Sequence, residues 1–315
     1  MVSVTDEHVL SNPTADRVKK VVSLASRAGR RKQGLFLVEG PQPVREALAL
    51  WLRRWDQEPC GEKDDTQDLP HLDALYFDPA ALDRHTEVEA LLDQVRGVLF
   101  DPEQDLPRRA RIFLREATPE VLRAMGDAET SQGMIAVCTI PQPAEQLPQL
   151  HLGAALLGVQ DPGNTGTIIR VADAAGADAV VLTPGSSDPW APKVVRSAAG
   201  SHFHLPLRPG TELEGFLSTV RDQGAQILAA DGEGETGLPA LEQPQKSTVW
   251  LFGNEAHGLS EEEKAHADQR VSLPLYGRAE SLNVASAAAV CLYHSATAQN
   301  TGPAQNTGTA QNTES

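Results

Sequence analysis

The feature that most constrains this chain is a series of apolar runs of strand length, at 154–159, 179–182, 225–230, 248–252 and 271–275. Runs of this kind mark strands covered on both faces, which is the habit of parallel sheets. The intervening segments 167–175, 193–199, 213–223 and 260–267 read as helices, and the alanine-rich stretch 283–297 reads as a final one. The expectation is an α/β fold whose parallel sheet carries helices on both sides.

The first half of the chain carries a second α/β pattern. Strand-like runs at 35–38, 74–77, 111–114 and 134–139 alternate with helical patterns at 17–28, 43–53 and 119–125. Segment 56–72 is acidic, contains Pro and Gly and has no period, so it reads as a surface insertion or long loop. Pro141, Pro143 and Pro148 mark 141–150 as a linker. A smaller α/β domain is therefore expected over 8–140 and the parallel-sheet domain over 151–297. From Ala298 onward a polar repeat, restarting at Ala304 and Ala310, lacks the apolar residues needed for order, and 298–315 is expected to be a disordered tail.

Composition excludes several classes. No stretch reaches the ~20 apolar residues that cross a bilayer, and the N-terminus lacks a signal-peptide pattern, so a cytoplasmic protein without a membrane partner is expected. Cys60, Cys138 and Cys291 are too scattered for a disulfide framework or a metal site, and no metal is expected. A net charge of −16 speaks against nucleic acid at first sight. The distribution speaks the other way: Arg17, Lys19, Lys20, Arg27, Arg30, Arg31 and Lys32 lie close together, as do Arg108, Arg109, Arg111 and Arg115.

Three polar segments follow the apolar runs at 154–159, 248–252 and 271–275. The first, from Asp161 to Arg170, holds a turn, with Asn164 or Thr165 able to cap the helix that carries Arg170. The second is Gly253-Asn254-Glu255-Ala256-His257-Gly258, followed by Ser260 and Glu263, which are spaced as a capping box. The third is Ser281-Leu282-Asn283-Val284, with Ser281 a natural cap for the last helix. Capping alone explains much of the first and third, and a tight loop with a solvated Glu255 would explain the second. Together they put Asn, Arg, Glu and Ser side chains at the carboxyl ends of parallel strands, where such sheets bind ligands. No Gly-x-Gly-x-x-Gly dinucleotide fingerprint accompanies them. His202 and His204 read as strand-surface histidines.

In this order and spacing the segments resemble the signature motifs of the SpoU/TrmH family of S-adenosylmethionine-dependent RNA ribose 2′-O-methyltransferases. Residues 193–206, which include Arg196, Ser197 and Gly200, resemble the family's Arg-x-Ser-x-Gly stretch, while 36–40 and 130–137 resemble the L30e-like substrate-binding domain that many members carry. The resemblance implies a parallel-sheet, trefoil-knotted methyltransferase domain, an S-adenosylmethionine cofactor, a structured RNA substrate and a homodimer. It favours rRNA, because tRNA-specific relatives often lack the extra domain, with a tRNA methyltransferase or a catalytically inactive RNA-binding module as the alternatives. On the same resemblance Arg170 acts on the ribose, with Asn164, Glu255, Ser281 and Asn283 as its supporting catalytic residues. Gly253, Asn254, Leu273, Leu275 and Leu282 would hold the cofactor. Arg17, Arg30, Arg31, Lys32 and Arg196 would contact RNA.

Overall fold

The computed structural model describes residues 9–55, 68–142, 144 and 146–301. The first half builds α1 (Asp16–Val22), α2 (Arg27–Gln33), β1 (Leu35–Glu39), α3 (Pro41–Trp55), β2 (Leu72–Phe77), α4 (Pro79–Leu82), α5 (Thr86–Leu99), β3 (Phe113–Glu116), α6 (Pro119–Met125) and β4 (Met134–Thr139). Among the described residues its sheet has four strands in the order β1-β4-β2-β3. Strand β4 runs antiparallel to both neighbours, and β2 pairs parallel with β3.

The second half builds β5 (Leu152–Leu156), α7 (Pro162–Ala174), β6 (Ala179–Leu182), α8 (Pro192–Ala198), β7 (Leu207–Pro209), α9 (Leu213–Asp222), β8 (Gln226–Ala230), β9 (Thr236–Gly237), β10 (Thr248–Phe252), α10 (Glu261–Ala265), β11 (Gln269–Ser272) and α11 (Val284–Thr301). Among the described residues this sheet has seven strands in the order β7-β6-β5-β10-β8-β11-β9, every pairing parallel. The expected α/β fold with a parallel sheet is the one observed.

Several local expectations are corrected. The single helix at 17–28 is two helices joined by a 3-10 turn at Ser23–Ala25. Ser26 caps α2 through Gly29 N–H, and a Cβ on Gly29 would lie 1.9 Å from the Ser23 carbonyl oxygen, so only glycine fits this corner. Helices α4 and α5 went unread in the sequence. Helix α11 continues to Thr301, so order extends past 297; the rest of the polar repeat and most of the 56–72 insertion lie outside the described residues. Residues 201–203 form a 3-10 turn rather than a strand.

Alternation along the strands sorts side chains between layers. In β10, Trp250 and Phe252 enter the larger core while Val249 and Leu251 enter the layer packed on α9. Helix α11 is pinned to the sheet by the buried hydrogen bond from Trp250 Nε1 to Ser295 Oγ, 3.0 Å long. In β1, Phe36 and Val38 face the larger core, and Leu37 faces the layer beneath α1 and α6.

That larger core crosses between the halves. Phe36 lies 4.9 Å, centroid to centroid, from Trp190, and both belong to one cluster with Phe203 and Trp250. Ion pairs ring the junction. Buried Arg30 meets Asp188, Arg196 meets Asp127, Arg208 meets Asp68, and His204 lies between Glu46 and Asp173. His204 donates from Nδ1 to Asp173 at 2.9 Å and from Nε2 to Glu46 at 3.2 Å, which requires the imidazolium. The Asp173 bond, opposed by partial burial, raises its pKa accordingly. His202 is fully buried, and burial lowers its pKa to about 4, so the neutral ring donates from Nε2 to the Pro189 carbonyl at 2.8 Å. Neither histidine is a strand-surface residue.

Helices α7 and α8 approach most closely at Gly166, where an added Cβ would sit 2.5 Å from Ser197 Cβ and 2.5 Å from the Val194 carbonyl oxygen. Gly166→Ala is expected to lower stability by about 1–3 kcal/mol, as overpacked sites do, measured as the midpoint of denaturant unfolding.

Candidate active site

Three loops emerge at the carboxyl ends of β5, β10 and β11. After β5 the chain turns at Asp161, which caps α7 by accepting from Asn164 N–H at 2.8 Å. Asn164 itself is inside the first turn, so its side chain is released from capping. After β10, Gly253 opens a loop closed by reciprocal hydrogen bonds between Asn254 and Gly258, 3.1 and 2.9 Å long. A Cβ on Gly253 would lie 2.3 Å from the Gly258 carbonyl carbon, so this turn admits only glycine. Ser260 and Glu263 then form the expected capping box for α10. After β11 the chain passes Leu273 and Leu275, and Asn283, not Ser281, caps α11, its Oδ1 accepting from Ala285 and Ser286 N–H.

The loops are tied together by one carboxylate. Glu255 accepts from Gln160 N–H at 3.0 Å, Asp161 N–H at 3.0 Å and Asn164 Nδ2 at 3.1 Å. Asn164 Oδ1 accepts in turn from Asn283 Nδ2 at 3.0 Å. Partial burial opposes ionisation of Glu255, but the bonds from Gln160, Asn164 and Asp161 outweigh it and hold the group below the usual glutamate range. Asn254 adds a fourth tie, donating from Nδ2 to the Gly158 carbonyl at 2.8 Å.

Beside this chain lies a cleft of about 430 Å³. Gly253, Asn254, Leu273, Leu275 and Leu282, the residues expected to hold a cofactor, all line it, as do Glu255, Ser281 and Asn283. Arg170 and Asn164 do not line it. Arg170 is exposed on α7, with no hydrogen bond or ion pair among the described residues.

The residues expected to contact RNA separate. Arg31 and Lys32 are exposed on α2. Arg17 is exposed, with its guanidinium 3.8 Å from the Phe113 ring centroid. Arg30 is the correction: it is 4% exposed, bonded to Asp188 and to the Leu24 and Ala25 carbonyls, and is a structural residue. Arg196 is engaged with Asp127 at 2.9 Å and Glu39 at 3.6 Å, on the junction between the halves.

Sequence reasoning overlooked Asp231 and Glu280, which also line the cleft. Asp231 follows β8 directly and pairs with Arg270 at 2.9 Å and Lys264 at 3.5 Å. Burial opposes its ionisation, but the Glu233 N–H and Arg270 hold its pKa down. The available signal was an Asp-Gly dipeptide at the carboxyl end of an apolar strand. Among the described residues no group of three or more His, Cys, Asp or Glu is placed to hold a metal ion, and no helix is long and apolar enough to cross a membrane.

Comparison with known proteins adds the following. Residues 151–293 match the SpoU rRNA Methylase family, and residues 15–53 match the MRM3-like substrate binding domain. The 23S rRNA (guanosine(2553)-2′-O)-methyltransferase RlmP of Bacillus subtilis is 40% identical over 176 residues, 56% of this chain and 69% of that protein. An uncharacterized tRNA/rRNA methyltransferase, slr1673 of Synechocystis, is 36% identical over 279 residues, 88% of this chain and 89% of its own length. The crystal structure of an AdoMet-bound rRNA methyltransferase from Sinorhizobium meliloti superimposes with a TM-score of 0.70 at 26% identity, covering 91% of this chain and 96% of that one.

A carboxylate whose pKa is depressed on folding stabilises above its unfolded pKa, and the contribution disappears as pH falls through the folded value. The melting-temperature difference between wild type and Glu255→Gln is therefore expected to stay constant from pH 7 to 5. It should vanish only below the ordinary glutamate value of about 4.3, as read by circular dichroism melts.

Proposed function

The chain belongs to the SpoU rRNA methylase family, and we propose that it transfers a methyl group from S-adenosylmethionine to a ribose 2′-hydroxyl of ribosomal RNA. The observation that carries this reading is the convergence of three loops, linked through Glu255, Asn164 and Asn283, beside one cleft at the carboxyl edge of a parallel sheet.

The cleft suits the methyl donor. Phe252, Val271, Leu273 and Leu282 offer apolar walls for an adenine ring, and Asp231, Glu255 and Glu280 are the charged side chains that line it. With Asp231 paired to Arg270 and Lys264, Glu255 and Glu280 leave the lining acidic, which favours a ligand whose sulfonium and ammonium leave it net positive. When bound, S-adenosylmethionine supplies a methyl group activated by its sulfonium.

The chain's own residues have separable tasks in this reading. Gly253, Asn254, Leu273, Leu275 and Leu282 hold the cofactor, largely with main chain. Glu255 fixes the start of α7 and the Asn164 amide, and Asn283 and Ser281 bound the ribose side of the cleft. Arg170 orients the 2′-hydroxyl or its neighbouring phosphate and stabilises the oxygen as it loses its proton. A guanidinium stays protonated at any ordinary pH, which makes a base role demanding.

Residues 8–140 act as the RNA-binding domain and 151–297 as the methyltransferase domain, joined by 141–150. Arg17, Arg31 and Lys32 supply positive surface, while Arg30 and Arg196 support the junction. A knotted chain path, a homodimer and a cytoplasmic location belong to the same proposal. Ribosomal RNA is preferred to tRNA because RlmP and the S. meliloti protein are named for rRNA.

The test is transfer of tritiated methyl from S-adenosylmethionine to separated rRNA and tRNA fractions, followed by mapping of ribose methylation. Label in rRNA is expected. Label confined to tRNA would redirect the substrate, and no transfer to either would overturn the reading. Arg170→Ala is expected to lower kcat by roughly 100-fold or more, the scale of losing one transition-state donor, with cofactor affinity unchanged. Full activity in that variant would remove Arg170 from the chemistry.

A further inference from the structure

A second cleft, of about 300 Å³, opens on the same carboxyl edge of the parallel sheet, past the ends of β6 and β7. Its far wall is α2, from the first half of the chain. Arg27, Arg30 and Arg31 line it against Asp188, its only carboxylate among the described residues. That carboxylate is already neutralised: Oδ2 accepts from Arg30, and Oδ1 accepts from Trp190 N–H at 3.0 Å. Arg27 and Arg31 remain. They are one helical turn apart, exposed, and without a hydrogen bond or ion pair among the described residues. In a chain of net charge −16, two uncompensated guanidinium groups facing one cleft make a local positive field.

The opposite wall is made for close approach. Gly185 and Gly210 adopt φ of +91° and +72°, and a Cβ on either would meet nothing within 4 Å. Thr183, Ser186 and Ser187 line this face together with Pro184, Pro189 and Pro209.

This wall is physically joined to the active site. Ser186 Oγ donates to the Leu156 carbonyl at 2.9 Å and accepts from Gly158 N–H at 3.1 Å, and Ser187 N–H donates to the Val159 carbonyl at 2.8 Å. The Gly158 carbonyl is the one held by Asn254. One continuous hydrogen-bonded edge thus runs from the acidic cleft, through the loop that leads to Arg170, to the arginine-lined cleft.

We propose that the α2 cleft seats the phosphodiester backbone of RNA next to the nucleotide being methylated, with Arg27 and Arg31 each contacting a phosphate. This deepens the RNA methyltransferase reading and rests on it. Opposite charges divide the work along one sheet edge: the acidic cleft takes the cationic donor, and the basic cleft takes the polyanion. Arg30 serves by cancelling Asp188, which would otherwise repel a phosphate.

Filter binding of radiolabelled total ribosomal RNA tests this over a salt series, comparing wild type, Arg27→Ala/Arg31→Ala, and a control of equal charge change, Arg108→Ala/Arg109→Ala. Two lost contacts to a single strand are expected to weaken binding about tenfold and to flatten the log–log salt slope by about 1.4. The melting temperature and the Kd for S-adenosylmethionine should not move, and the control should match wild type. Unchanged affinity and slope in the Arg27/Arg31 variant would overturn the cleft assignment, and so would an equal loss in the control. If wild-type protein failed to bind RNA at all, the methyltransferase reading itself would fall, a result separate from either of these.

Discussion

Everything at the catalytic edge depends on where one carboxylate finds its hydrogen bonds. Glu255 is held ionised and so accepts without donating. It draws in two main-chain N–H groups from the β5 turn and the amide nitrogen of Asn164. That choice orients Asn164, whose oxygen then faces Asn283 and leaves the Asn283 oxygen to cap α11. Three segments lying more than a hundred residues apart at their extremes are fixed by a chain of four polar contacts. No single contact is strong; their value lies in leaving each group one arrangement.

The broad plan was legible because burial on two faces leaves a direct mark on sequence. Runs such as 248–252 have no polar side to show, and they became central strands. The Ser260–Glu263 capping box was legible too, since both of its bonds are local. Competing caps were not. Asp161 and Asn164 are equally good candidates by type, and only the distant Glu255 reserves Asn164 for another partner. Ser281 and Asn283 are also matched by type, and Asn283 caps α11 while its amide nitrogen reaches Asn164. Arg30 and Arg31 are adjacent and chemically identical, yet one is buried on Asp188 and the other is exposed, because helix geometry turns them to different sides. Asp231 escaped notice because its role comes from the strand order, which brings β8 beside β10.

Net charge proved a poor guide to partners for a related reason. Of the basic residues that seemed free for RNA, Arg30 and Arg196 are bound to acidic groups inside the molecule. Among the described residues Asp188 is the one carboxylate that lines the α2 cleft, and a buried arginine cancels it. At physiological salt a field is felt over about 8 Å, so what a ligand meets is the local lining and not the sum over the chain.

The junction between the halves has a consequence for how a target is chosen. Phe36, Trp190 and Phe203 belong to a single core, and ion pairs close its margin, so the α2 helix and the catalytic edge are packed onto one body. Such a body works as a ruler. The spacing between its grip on the strand and its reacting centre is set by packing and cannot stretch to suit the substrate. On the proposed reading RNA brings a ribose to that mark by its own bends and loops, so the folded shape of the RNA, more than the identity of its bases, sets the register of modification.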